Sequence, residues 1–316
     1  MILIDTGNEA ILDATLKKYK KYNEEKEVDS TNLIIPGNLN KKIVGFIKFV
    51  KLDFDGTVYH VFNTPNSKSS LTISLSLKYF AKLKKENLLD HFFSIYKEYE
   101  TSTESGYDYT VCMDFAKISN SQIEKVQCDM MNIKKNCFAS FFYKYFDSVG
   151  KSSLKPIIID YRDSECLYIS SSNDRVTVIF STLFKDPDDI ILSAIFMEEF
   201  KDERRKYQQA PQILFSQKEP PVELKSHGFT KTNDRFYITF ILFERHMNKD
   251  FRENTINLLS TFREFIHYHI KMLKSKLNER TRMKASEFQK ILDRAKNEKK
   301  NVIKKTIAGK TFRHLS

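Results

Sequence analysis

From Arg252 to about Lys300 the chain contains neither proline nor glycine, and residues that favour helix dominate the stretch. At 1.5 Å per residue, such a helix reaches roughly 70 Å, far more than a small sheet needs for cover. Ile256, Leu259, Ile266, Ile270, Leu273 and Leu277 recur at three- and four-residue steps, with Arg263 the one charged step. Leu258, Phe262, Phe265 and Met272 widen this stripe to most of the circumference of the first half. A helix apolar nearly all round must be covered on several sides. Its far end lies beyond the reach of its own domains, so a second polypeptide is expected on Ile256, Leu259, Phe262, Ile266, Ile270, Leu273 and Leu277.

The charge is concentrated in the same region. The formal net charge is +11; Tyr268 to Ser316 holds 15 Lys and Arg against 4 Asp and Glu, and the other 267 residues carry 37 of each sign. A neutral body with a basic end predicts an acidic partner: nucleic acid, an anionic membrane or an acidic protein surface. No apolar run approaches the roughly 18–20 residues that cross a bilayer, and Met1 to Asp5 lacks the pattern of a secretory signal. Four cysteines without CxxC spacing are too few for a disulfide scaffold and fit a reduced, intracellular protein.

The 26 Phe and 15 Tyr supply a large core. Upstream of the long helix, one pattern appears twice. In residues 1–120 a helical spacing at Ile11, Leu12, Leu16 and Tyr19 precedes strands near Ile43–Phe49, Val58–Phe62 and Leu71–Leu75, with a turn at Asp53–Gly56. A helix over about 77–98 and a strand from Tyr107 to Phe115 complete the unit. In residues 121–247 a helix over 122–147 leads to strands Pro156–Ile159, Cys166–Ile169 and Arg175–Phe180. The next helix has its start written in Asp186-Pro187-Asp188-Asp189, and Phe236–Phe243 supplies the closing strand. The expectation is an α+β protein: two related antiparallel-sheet and helix sandwiches, a boundary near Ser119–Ser121, a long helix over 248–300 and a basic tail over 301–316. Residues 24–42 read as a polar surface loop.

Catalytic and cofactor motifs are missing. Gly309-Lys310-Thr311 resembles the end of a phosphate loop, but the earlier glycine that loop needs is Lys304. His267 and His269 point about 200° apart on a helix and cannot share a metal, so both are expected at a surface or interface. Cys137, in an aromatic helix, reads as a buried thiol. The chain is therefore expected to be no enzyme, with no cofactor and no bound metal.

Between Lys135 and Leu224 the chain carries Asn136-Cys137-Phe138-Ala139-Ser140, Tyr161-Arg162-Asp163, Asp174-Arg175-Val176-Thr177-Val178, Ala210-Pro211-Gln212, Leu214-Phe215-Ser216 and Glu219-Pro220-Pro221. In these stretches it resembles the subunit 2 family of the actin-related protein 2/3 complex, which nucleates branched actin filaments. Downstream, Asn254-Thr255-Ile256-Asn257-Leu258, Thr261-Phe262-Arg263 and His267-Tyr268-His269-Ile270-Lys271 agree as well; Glu104-Ser105-Gly106-Tyr107 agrees more loosely, and residues 24–42 depart as an insertion. The resemblance implies two α/β domains of one fold and a long helix that pairs antiparallel with that of subunit 4. It also implies a scaffold role among the other subunits, including the actin-related proteins, and contact with the side of the pre-existing filament. Because actin is acidic, the resemblance points to Arg204, Arg205 and Lys206, and to Lys271, Lys274, Lys276, Arg280 and Arg282, as filament-facing cations. The alternative reading of the basic end, binding nucleic acid or an anionic membrane, predicts steep salt dependence. Neutrality of the body and the absence of a base-stacking motif weigh against it.

Overall fold

The computed structural model describes residues 48–52, 57–63, 70–151, 154–207 and 209–295, with two short strands at 304–305 and 311–312. The expected helix at 11–19, the loop at 24–42 and the Asp53–Gly56 turn lie outside these residues. The first sheet runs β1 (Lys48–Leu52), β2 (Val58–Asn63), β3 (Ser70–Ser76) and β4 (Tyr109–Asp114), in that spatial order and antiparallel throughout. Leu71, Ile73 and Leu75 turn one face of β3 into the core. The other face carries Ser70, Thr72 and Ser74, also buried. Around Ser74 the Glu104–Tyr107 segment contributes cover: Thr110 Oγ1 donates to Ser74 Oγ at 3.1 Å and accepts from Glu104 N–H at 3.1 Å, and His60 Nδ1 lies 2.8 Å from Glu104. Gly106, at φ +88°, makes the turn that brings Glu104 there.

The helix expected over 77–98 is two, α1 (Phe80–Lys85) and α2 (Asp90–Tyr96). Asn87 adopts φ 53°, and the N–H groups of Leu88 and Asn87 return to Leu83 O at 2.9 Å and Lys84 O at 3.2 Å. That is a Schellman closure on an asparagine, one of the few non-glycine residues that tolerate the left-handed region. The helix expected over 122–147 is likewise divided, into α3 (Asn120–Met131) and α4 (Ile133–Ser148), at Asn132. There the Asp129 carbonyl accepts from Tyr96 Oη, and Asn132 Nδ2 donates to Cys128 O at 2.9 Å. The polar stretch Ser119–Ser121, where a boundary is expected, caps and opens α3.

The second sheet has five strands, in the order β5 (Ile157–Arg162), β6 (Glu165–Ser171), β7 (Arg175–Leu183), β9 (Arg235–Phe243), β8 (Gln212–Gln217), all antiparallel. β8 is the element the expected repeat lacks; it forms the sheet edge after α5 (Pro187–Arg205), and a one-turn α6 (Val222–Lys225) follows it. α5 starts as its sequence dictates, with Asp186 accepting from Asp188 N–H at 3.0 Å and Pro187 at the first helical position. A short α7 (Glu244–Met247) leads into α8 (Arg252–Ala295), 44 residues or about 65 Å long.

α4 joins the two halves. Phe138 packs edge-on against Tyr79 of the first and Tyr161 of the second, at 5.9 and 6.3 Å between ring centroids, and Phe92 N–H donates to Ser140 Oγ. One hydrophobic core thus runs through both sheets. α8 and α5 cover the second sheet, with Phe262 set among Phe180, Phe240 and Phe200 at 5.6, 4.6 and 5.8 Å. Phe262→Ala removes this wedge and is expected to destabilise the fold by about 3–5 kcal/mol, read from the urea midpoint.

Candidate partner-binding surface

α8 is fixed to its own domain at three points. At its start Arg252 donates to Asp147 at 2.8 Å and to Tyr143 O at 2.7 Å, its guanidinium lying 4.6 Å from the Tyr143 ring. Midway, Arg263 Nε donates to Glu165 Oε2 at 2.7 Å and Nη2 approaches Oε1 at 3.3 Å. Glu165 is 4% exposed and also accepts from Leu183 N–H, so the one charged step in the stripe answers a buried carboxylate. At the third point Lys274 donates to Asp186 and, at 3.1 Å, to Asp189, in the first turn of α5. Lys274 holds the Asp186 carboxyl below its ordinary range.

Between the first and last of these anchors, Ile256, Leu259, Phe262, Ile266 and Ile270 are each 1% exposed. Five of the seven residues expected against a partner are therefore filled by the chain's own sheet and α5. Leu273 and Leu277, 40% and 50% exposed, are not. His267, expected like His269 at a surface or interface, lies half-buried over Phe184 at 4.9 Å, and His269 is half-buried and stacks on Phe196 at 5.4 Å.

Past Lys274 every described residue of α8 is exposed, through Ala295. At about 100° per residue, Leu259, Ile270, Leu277, Phe288 and Ala295 fall within about 20° of one line, with Leu273, Ile291 and Leu292 within about 60° of it. The phase of the stripe that is core up to Ile270 is thus kept to Ala295, interrupted by Thr281 and Lys284 on the same line, and past Lys274 it runs exposed for about 32 Å. Phe288, Ile291 and Leu292 are 63%, 60% and 50% exposed. Each such side chain yields about 1.5–3 kcal/mol when fully buried, so the strip is suited to a facing helix. Phe288, Ile291 and Leu292 extend the surface beyond the sequence-based set, and their return to the phase of the stripe after Thr281 and Lys284 is the signal for them.

The eight cations do not form one patch. Arg204 Nε and Nη2 donate to Pro211 O and Ala210 O at 2.6 and 2.7 Å, so this guanidinium braces the turn into β8. Lys274 is committed to α5. Arg205 pairs with Asp202 at 3.1 Å, Lys206 with Glu203, and Lys276 with Glu279 at 2.8 Å, all three exposed pairs of the kind worth little energy. Arg280 and Arg282 meet no carboxylate among the described residues. Lys276 and Arg280 flank one side of the apolar strip, and Lys271 and Arg282 the other. Arg204 to Lys206 stand at the far end of α5 from Lys274, about 28 Å away along the helix.

Among the described residues no group of three metal-ligating side chains comes together, and no helix is long and apolar enough to cross a membrane. Burial pushes the Cys137 thiol well above its ordinary pKa and leaves it unreactive.

Two fused α+β units carry a long helix that is buried along its first half and exposed along its second. The comparisons name the family: residues 73–299 match the family described as Arp2/3 complex, 34 kD subunit p34-Arc, and the chain belongs to it. It is 34% identical over 287 residues to actin-related protein 2/3 complex subunit 2 of Schizosaccharomyces pombe, covering 83% of this chain and 90% of that protein. With the protein of the same name from Dictyostelium discoideum it shares 36% over 266 residues, covering 83% of this chain and 89% of that one.

The inward face of α8 sets a pH dependence. Burial, then the positive charges of Arg263, Arg162 and Lys271, depress the His267 pKa to about 3. Glu165 Oε1 lies 3.9 Å from His267 Nε2, beyond hydrogen-bond reach, and is already answered by Arg263. His267 is therefore neutral when folded and takes a proton near pH 6.5 once unfolded, so its contribution is complete above that pH and is lost toward pH 3. His267→Gln is expected to flatten the fall in urea stability between pH 6.5 and 4. Glu165→Ala leaves Arg263 unpaired and is expected to cost about 3–5 kcal/mol at pH 7 in the same assay.

Proposed function

We propose that this chain is a non-catalytic scaffold subunit of the Arp2/3 complex, at work in the cytoplasmic actin cytoskeleton. In this reading the distal half of α8 pairs with the long helix of subunit 4. The pair sits at the centre of the assembly with the actin-related proteins and holds the side of the mother filament while a branch is nucleated. The observation that carries it is the uncovered strip from Leu273 to Leu292, continuous in phase with the stripe that anchors the helix. Burial of the first five predicted contacts at home moves the proposed pairing surface outward along α8.

Filament contact rests on charge. Arg205, Lys206, Lys276, Arg280 and Arg282 are exposed cations with weak partners or none, suited to steering toward an acidic surface more than to raw affinity. The cations sit on both flanks of the strip and at the far end of α5, so a partner helix on the strip would leave both groups free for a large surface.

Two experiments separate these claims. Leu273→Glu with Leu277→Glu is expected to abolish co-purification with subunit 4 while the chain keeps its near-UV circular dichroism. Ile266→Glu, by contrast, should unfold the second sheet. Retained co-purification by the first variant overturns the pairing. Reversal of Arg205, Lys206, Arg280 and Arg282 to Glu is expected to weaken co-sedimentation of the assembled complex with filaments several-fold at low salt, with assembly intact. Unchanged sedimentation removes these residues from the filament surface.

A further inference from the structure

The second sheet has two edges, and the sequence treats them differently. β5 is blunted in the usual ways: its pairing with β6 slips between Ile159 and Arg162, and Asp160 and Arg162 charge that end. β8, at the other edge, is Gln-Ile-Leu-Phe-Ser-Gln: six residues in unbroken register with β9, with no charge, no proline and no bulge. Among the described residues no strand pairs with its outer side, and Leu214 stands 49% exposed. Alternate residues of such a strand aim their N–H and C=O groups away from the sheet. A regular, uncharged edge of this kind is a template for another strand.

Next to the first half of β8 is an open cavity of about 210 Å³, walled by Lys201, Arg204, Arg205 and Arg245 with Leu214 and Phe243, and by no carboxylate. Glu198 lies 3.5 Å from Lys201 and Asp202 3.1 Å from Arg205, partly offsetting those two. Arg204 and Arg245 have no carboxylate partner among the described residues. Arg204 is held by two carbonyls through Nε and Nη2, which leaves Nη1 to donate, and the Arg245 guanidinium lies 5.9 Å from the Phe243 ring. Charge complementarity and the bare edge select the same occupant.

We propose that β8 and the cationic cavity beside it form a docking site for an extended, carboxylate-rich segment of a partner protein, which adds to the sheet as a sixth strand. Main-chain hydrogen bonds to β8 supply the affinity, and the cations select acidic side chains at alternate positions near Gln212 and Leu214. Arg205 is shared with the proposed filament contacts, but Lys201 and Arg245 belong neither to these nor to the helix-pairing surface, so variants of those two test the site separately.

The test uses the full chain co-purified with its partner subunits, without actin, and a fluorescein-labelled acetyl-(Glu-Val)4-amide peptide followed by anisotropy at 50 mM salt. Saturable binding is expected, with no binding of the (Lys-Val)4 counterpart. N-methylation of either all glutamates or all valines blocks one edge of the peptide, and one of the two series is expected to abolish binding while the other retains it. Arg245→Glu and Lys201→Glu should each weaken binding about tenfold, with unchanged circular dichroism. No binding at millimolar peptide, equal binding by both methylated series, or full affinity in Arg245→Glu would each overturn the proposal.

Discussion

The architecture depends on a mismatch of lengths. A single apolar stripe runs along one side of α8, and the sheet and helix that bury it end near Ile270, while the helix goes on to Ala295. Burial of Phe262 and its neighbours makes the proximal half part of the domain core, and this fixes the direction in which the distal half leaves it. The ion pairs at Arg252, Arg263 and Lys274 then set rotation and register at three levels, so the exposed continuation of the stripe faces one defined way. A helix held so firmly at one end presents its other end with little orientational entropy left to lose. The proposed helix pairing would draw on that preorganisation.

Much of this was legible from residues alone. The absence of proline and glycine with three- and four-residue apolar steps located α8 and its stripe, and Asp186-Pro187 located the start of α5 to the residue. Two antiparallel sheets followed from runs of β-branched and aromatic residues between turns. The apolar patterns over 77–98 and 122–147 look unbroken because the breaks at Asn87 and Asn132 are made by hydrogen bonds, of Asn87 N–H to Lys84 O, Leu88 N–H to Leu83 O, Asn132 Nδ2 to Cys128 O and Tyr96 Oη to Asp129 O, and not by composition. β8 buries only Ile213 fully, too short an alternation to stand out in the sequence.

Periodicity shows which face of a helix is apolar but not what covers it. The five residues from Ile256 to Ile270 share one phase with Leu273, Leu277, Phe288, Ile291 and Leu292, yet the first group is buried against its own sheet and α5 while the second stands 40–63% exposed. Charge has the same limitation. Arg204 and Lys274 read as surface cations, and both are spent on local carbonyls and carboxylates. Arg245 and Lys201 carry no signal in the sequence, since only the fold brings them to one cavity.

The central claim is that α8 is core up to Ile270 and open beyond Lys274 until another helix covers it. Amide hydrogen exchange followed by mass spectrometry reads this directly, peptide by peptide along α8. In the chain without its partner, the peptide spanning residues 256–270 should exchange slowly and that spanning 277–295 fast, with strong protection of the latter appearing only on assembly. Equal, slow exchange across both peptides in the isolated chain, unchanged on assembly, would contradict the account.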